Sequence, residues 1–147
     1  MIAPDINLLI YAVDVDSPFH APAKAWLEDA LSGTETVGFA WIVLLGFLRL
    51  TTRPEVLPSP LSVKQALELV ALWITQPSAG VIAPGPRHFD LLCDLLTNTG
   101  TGGNLTSDAH LAAIAIEHGA QIFSTDSDFG RFAGLRWRNP LAPKENQ

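Results

Sequence analysis

The sequence predicts an α/β domain with a central, mostly parallel sheet and helices on its faces, and three observations point there. Short apolar runs of strand length alternate with longer stretches of helical periodicity, the order expected when helices form the crossovers between parallel strands. At 147 residues, 48% hydrophobic and only 16% charged, the chain is long enough to bury one real core and too short for two. No internal repeat or linker interrupts it, so a single domain is expected over 1–147.

Met1 to Ile6 is an apolar run of strand length and reads as a first buried strand. A short helix from Asn7 to Val13 follows, then a second from about His20 to Leu31, where Ala25, Leu27, Ala30 and Leu31 share a side and Gly33 ends the pattern. Glu35 to Phe39 is a short second strand leading into an apolar helix, Trp41 to Thr51, which Arg53-Pro54 stops. Three prolines stiffen the loop RPEVLPSP. Ser62 caps the next helix, whose Val63, Ala66, Leu67, Val70, Leu72 and Trp73 recur at roughly helical spacing. Val81 to Ala83 is a short strand, and a helix spans about Arg87 to Thr97. The segment TNTGTGGNLTS breaks helix and strand alike. Thr106 or Ser107 can then cap a helix running to His118, Gly119 supplies a turn, and Gln121 to Ser124 forms a buried strand. Residues 135–147 hold a weak last strand and a frayed, polar tail.

A formal net charge of -6 and a pI near 5.0 argue against holding nucleic acid by general electrostatic attraction, so any such contact must be local. Cys93 is the one cysteine, which excludes an intramolecular disulfide; its setting, FDLLCDLL, reads as a buried, inert thiol in a reducing compartment. No basic segment precedes the first apolar stretch, and no apolar run reaches the roughly 18 residues of a membrane span. A cytoplasmic protein is expected.

The chemistry is carried by acids. Asp5 lies at the C-terminal end of the first strand, and Asp126 follows the strand QIFST, both at the edge where open parallel sheets bind ligands. Asp108 sits in the first turn of a helix, where the dipole and free N–H groups favour a carboxylate. Asp128 points with Asp126 toward one ion if the strand end stays extended, and diverges if a turn begins at Ser127. Carboxylates gathered this way repel each other unless a cation stands between them, and an all-oxygen donor set suits Mg²⁺ or Mn²⁺ with several waters retained. Ser107 and Thr125 are candidate donors that orient the acids, or alternatively a helix cap and a turn residue; Asn7 either ties the loop of Asp5 or caps its own helix. Arg49, Arg53 and Arg87 are candidate phosphate contacts in a chain with few cations. None of the four histidines stands where a general base is needed: His20 and His88 read as surface, His110 as structural or solvent-facing, and His118 as a helix C-terminal cation. Trp26, Trp41, Phe47 and Trp73 read mainly as core, with a dimer face or partner groove as the other use.

At Asp5-Ile6-Asn7, Ser107-Asp108-Ala109-His110-Leu111-Ala112-Ala113, Thr125-Asp126-Ser127-Asp128-Phe129 and Phe47-Leu48-Arg49 with Arg53-Pro54, the chain resembles the PIN-domain ribonucleases, specifically the VapC toxins of bacterial toxin-antitoxin pairs. The resemblance covers nearly the whole chain. It implies a PIN-like three-layer α/β/α fold, an acidic Mg²⁺ site that Mn²⁺ can also fill, endonucleolytic cleavage of transfer or ribosomal RNA, a homodimer, and inhibition by a cognate VapB-type antitoxin. Carried over residue by residue, Asp5, Asp108 and Asp126 are the metal ligands, with Asp128 as a further catalytic acid.

One departure stands out. The family usually carries another acid, commonly Glu, on the helix after the second strand, and here that helix reads WIVLLGFLRLTT, with Leu44, Leu45 and Gly46 in the expected window. The missing carboxylate leaves two expectations: water or Asp128 substitutes in a weakened metal site, or the chain is an inactive PIN-fold binding module. A receiver-like phosphoacceptor fits less well, because no lysine lies between Lys64 and Lys144. A phosphatase built on Asp14-Val15-Asp16 fails too, since those residues follow a helix-like stretch.

Overall fold

Parallel strand pairing, expected from the alternation of elements, runs through the whole sheet of the computed structural model, which describes residues 1–143. In chain order the elements are β1 (Ile2–Pro4), α1 (Ile6–Val13), α2 (His20–Ser32), β2 (Val37–Ala40), α3 (Trp41–Thr51), α4 (Val63–Ile74), β3 (Ala79–Ile82), α5 (His88–Thr99), α6 (Leu105–His118), β4 (Gln121–Phe123), a 3₁₀ turn (Ser127–Arg131) and β5 (Trp137–Arg138). The sheet order is β3-β2-β1-β4-β5, and every pairing is parallel, where the sequence led us to expect a mostly parallel sheet. Helices α1 to α4 pack against one another and α5 packs against α6, giving the three-layer α/β/α arrangement.

β1 lies at the centre of the sheet, paired with β2 on one side and β4 on the other. Ile2 registers with Val37 of β2 on one side, and Ile2, Ala3 and Pro4 with Gln121, Ile122 and Phe123 of β4 on the other. Phe39 of β2 stacks on Trp73 of α4 at 6.3 Å, and Phe47 of α3 meets the same indole edge-on at 4.8 Å, which fastens α3 and α4 to the sheet. Ser62 caps α4 as expected and completes a capping box: its Oγ accepts from the Gln65 N–H at 3.1 Å, and the Gln65 Oε1 accepts from the Ser62 N–H at 3.0 Å.

Several sequence expectations need correction. α5 continues to Thr99, so the break in TNTGTGGNLTS is confined to Gly100–Asn104, with Gly100 closing the helix at φ 70°. Neither Thr106 nor Ser107 caps α6; it begins at Leu105 after Asn104, and no side chain caps it. Cys93 is exposed, because its apolar neighbours in sequence project to other sides of α5, whose one fully buried residue is Leu95. Trp41 is 50% exposed, whereas Phe47 and Trp73 are buried and Trp26 is half-buried, stacked on Phe123 at 5.4 Å. His20 and His88 are half-buried: the His20 Nδ1 donates to the Tyr11 carbonyl, and His88 bonds to His110 through an Nε2···Nδ1 contact of 2.9 Å. The weak last strand is β5, and the end of the polar tail, 144–147, lies outside the described residues. Among the described residues no helix is long and apolar enough to cross a membrane.

Candidate functional site

Adjacent parallel strands end together, so the register of β1 with β4 decides what meets at their C-terminal edge. Pro4 pairs with Phe123, and the Asp5 N–H continues the ladder to the Phe123 carbonyl at 2.9 Å. Asp5 is also the N-cap of α1, yet its carboxylate does not cap that helix. It is 7% exposed and turns to β4, where its Oδ2 accepts the Ser124 hydroxyl at 2.8 Å.

Ser124 is the hub of this edge and was missed from the sequence. Fully buried, its Oγ donates to Asp5 and accepts from the Asn7 Nδ2 at 3.1 Å and from the Asp126 N–H at 3.0 Å. The signal available was a hydroxyl closing an apolar strand; we gave that role to Thr125, whose part is limited to its backbone N–H and a 3.5 Å contact with the Asn7 Oδ1. Asn7 therefore ties the Asp5 loop to β4 and does not cap α1.

The turn beginning at Ser127 resolves the alternatives for Asp128. Asp126 caps the 3₁₀ turn, its Oδ1 accepting from the Asp128 N–H at 2.9 Å, and Asp128 is exposed within that turn. Its charge still reaches the cluster. The Asp108 carboxyl is pushed up to about 6, by burial first and then by repulsion from Asp5, Asp126 and Asp128. Asp5 is also raised: burial and the charge of Asp126 outweigh the hydrogen bonds from Ser124 and the Ile6 backbone. No cation figures among these influences.

α3 and α6 wall a pocket of about 240 Å³ at this edge, lined by Asp5, Ser107, Asp108, Gly46, Arg49 and four apolar neighbours of these, with Leu111 behind. Ser107 is exposed there. Of the three residues in the window where an acid was expected, Leu44 is buried in the core, Leu45 is 58% exposed, and Gly46 faces the pocket. Arg53 instead makes a surface pair with Glu55 at 3.6 Å, and Arg87 lies outside the pocket.

Fit to a divalent cation turns on this donor set. Among the described residues, no three His, Cys, Asp or Glu side chains converge into a ready-made cage. What Asp5, Asp108 and Asp126 do provide is oxygen donors only, with repulsion that no protein cation offsets, and this suits a hard ion that keeps much of its own water.

A parallel α/β/α sheet with acids gathered at the ends of its two central strands defines the PIN class of fold, and comparison with known proteins agrees. The PIN domain family model matches residues 2–135. The chain is 52% identical over 138 residues to Ribonuclease VapC37 of Mycobacterium tuberculosis, spanning 94% of this chain and 96% of that protein. Among solved structures, VapC20 of M. tuberculosis, described as a sarcin-ricin loop cleaving toxin, superposes with a TM-score of 0.68 at 18% identity over 92% of this chain and 99% of that one. VapBC-1 from nontypeable Haemophilus influenzae superposes with a TM-score of 0.66 at 18% identity, covering 97% of this chain and 100% of that one. The chain belongs to the PIN-domain family and, within it, to the VapC ribonucleases.

Proposed function

We propose that this protein is the toxin of a type II toxin-antitoxin system, a Mg²⁺-dependent endoribonuclease that cleaves structured transfer or ribosomal RNA and is neutralised by a cognate VapB-type antitoxin. The observation that carries this reading is that Asp5, at the end of β1, and Asp108, in the first turn of α6, line one pocket, with Asp126 and Asp128 near enough to join Asp5 and burial in pushing the Asp108 carboxyl up to about 6. The ribonuclease name of VapC37, at 52% identity, supports the same activity.

In this reading Asp5, Asp108 and Asp126 hold the ion, for which Mn²⁺ can substitute, and Asp128 adds negative charge from the rim. Bound there, a divalent ion supplies Lewis-acid polarisation of the phosphodiester and acidifies the attacking water. Ser124 fixes the Asp5 carboxylate with one hydroxyl proton while taking N–H groups from Asn7 and Asp126, so one side chain holds both strand ends in register. Burial of Asp5 keeps bulk water from screening the charges it acts on.

The partner reading is supported by apolar surface. A groove of about 290 Å³ between α1, α2 and α4 is walled by Ala12, Leu27, Leu31, Leu69, Leu72 and Trp73, among others, and suits a segment of antitoxin. Trp41 and Leu45, one turn apart on α3, and Phe89 on α5 are exposed apolar side chains suited to a second copy in a homodimer.

Gly46, standing in the pocket where an acid was expected, favours one second reading, a PIN-fold binding module without catalysis. Purified, partner-free protein incubated with a transfer and ribosomal RNA panel separates the two. Discrete fragments that need Mg²⁺ or Mn²⁺ and vanish with Asp5→Ala are expected; a folded protein that cleaves nothing with either metal leaves only the binding module.

A further inference from the structure

The wall that α3 contributes to the acidic pocket holds one charged side chain that the reaction above does not use. Arg49 lines the pocket with Asp5, Ser107 and Asp108 and is the only cation among the lining residues. It is exposed and, among the described residues, forms no ion pair with an acid.

Such an arginine answers a problem set by the rest of the molecule. A chain of net charge -6 that gathers four aspartates at one edge repels a phosphodiester unless a local cation receives it. A guanidinium suits this task, because its planar fork matches two phosphate oxygens at once. Gly46 keeps that fork available. It precedes Arg49 by three residues on α3, the spacing at which an acid would pair with the arginine along the helix.

We propose that Arg49 is a substrate-binding residue of this site, its guanidinium taking the phosphate oxygens of the RNA backbone beside Asp5 and Asp108. The proposal rests on the ribonuclease reading and adds to it how an acidic protein holds its substrate.

The test uses the full chain with Asp108→Asn to block cleavage, and labelled total transfer RNA and ribosomal RNA fragments as probes, with binding followed over a range of salt concentrations. Adding Arg49→Gln is expected to weaken binding about tenfold, the scale of one charged hydrogen-bonded contact. It should also make the dependence of log affinity on log salt shallower by about 0.7 to 0.9, the signature of one lost phosphate contact. Arg49→Lys is expected to keep the slope and recover part of the affinity. In the otherwise unaltered protein, Arg49→Gln should leave the rise in Tm caused by Mn²⁺ unchanged. Equal affinity and slope with and without Arg49→Gln would overturn the assignment while the RNA reading stands. A lost Mn²⁺ response would overturn it by making Arg49 a support of the metal site. Failure of the Asp108→Asn protein to bind either RNA would overturn the RNA reading and this proposal together.

Discussion

A carboxyl pushed up to about 6 makes Asp108 the residue whose protonation decides how this site responds to pH. Its folded value lies above the ordinary 3.8, so between these values the folded protein holds a proton that the unfolded chain has lost. Without metal, this contribution to stability is fully present below about 4 and is lost as pH rises through about 6; the raised Asp5 acts in the same direction. A cation reverses the trend, because it binds only the ionised carboxylates. Thermal melts across this range should show a Mn²⁺-induced rise in Tm that is small at pH 5 and grows through pH 6 to 7, and Asp108→Asn should lessen the growth, leaving the part that Asp5 contributes. An equal Mn²⁺ effect at pH 5 and 7 in the unaltered protein would sink this account. Gly46 supports a second expectation at the same scale. A Cβ there would collide with the Ile6 Cδ1, the far end of a flexible side chain. Gly46→Glu with Ile6→Val, which removes that carbon at a cost of about 1 kcal/mol, should bind Mn²⁺ more tightly in calorimetry than the unaltered protein. The same double variant should bind RNA less tightly if the new acid captures Arg49.

At the scale of elements, α5 depends on a side chain from another helix. No side chain of its own caps it. Glu117 of α6 reaches the loop ahead of it, its Oε1 accepting the Gly85 N–H at 2.6 Å and its Oε2 the Arg87 N–H at 2.8 Å. Gly85 is required for this approach, since a Cβ there would sit 2.7 Å from the carboxylate. Burial works against the charge of Glu117, yet the Arg87 and Gly85 amides, with His118 and His88 nearby, pull its carboxyl below the ordinary 4.5. Its stabilising effect is therefore present above that value and lost as pH falls through the lowered one. Glu117→Ala should lower Tm at pH 7 and speed hydrogen exchange at Gly85 and Arg87, with the difference in Tm closing in acid; exchange unchanged at those amides would refute the anchor. This contact also marks where sequence reading stopped. The helices and the Ser62 cap were legible because periodicity and capping are local patterns, satisfied within a few residues. Glu117 and Ser124 act on partners 32 and 119 residues away, and no local pattern marks them. Cys93 misled for a related reason: apolar neighbours along a helix are spread around it at about 100° per residue. That Asp5 and Asp126 come to one edge was legible because strand ends are legible, and parallel pairing brings the ends of β1 and β4 together.

For the whole molecule, the proposed function divides the work between an acidic pocket for RNA and apolar surface for a protein partner. Under that proposal, attraction for RNA has to come from the pocket, since the chain as a whole is negative. An antitoxin has no such constraint and can use the apolar groove along α2 and α4, where Leu72 is the informative position. It is 56% exposed, and it lines both this groove and an adjoining depression with Leu61 and Gln65. An exposed leucine contributes little to folding, so Leu72→Glu should change stability by no more than about 0.5 kcal/mol. A partner that buries the groove, however, would have to desolvate the new carboxylate, at a cost of about 1 to 3 kcal/mol if it goes unpaired. Co-expressed with a VapB-type antitoxin, the Leu72→Glu protein should therefore keep its Tm and RNA cleavage when freed of partner, yet release the antitoxin about tenfold or more faster in surface-binding measurements. Undiminished residence of the antitoxin on this variant would place its contact elsewhere and leave the groove without a role in neutralisation.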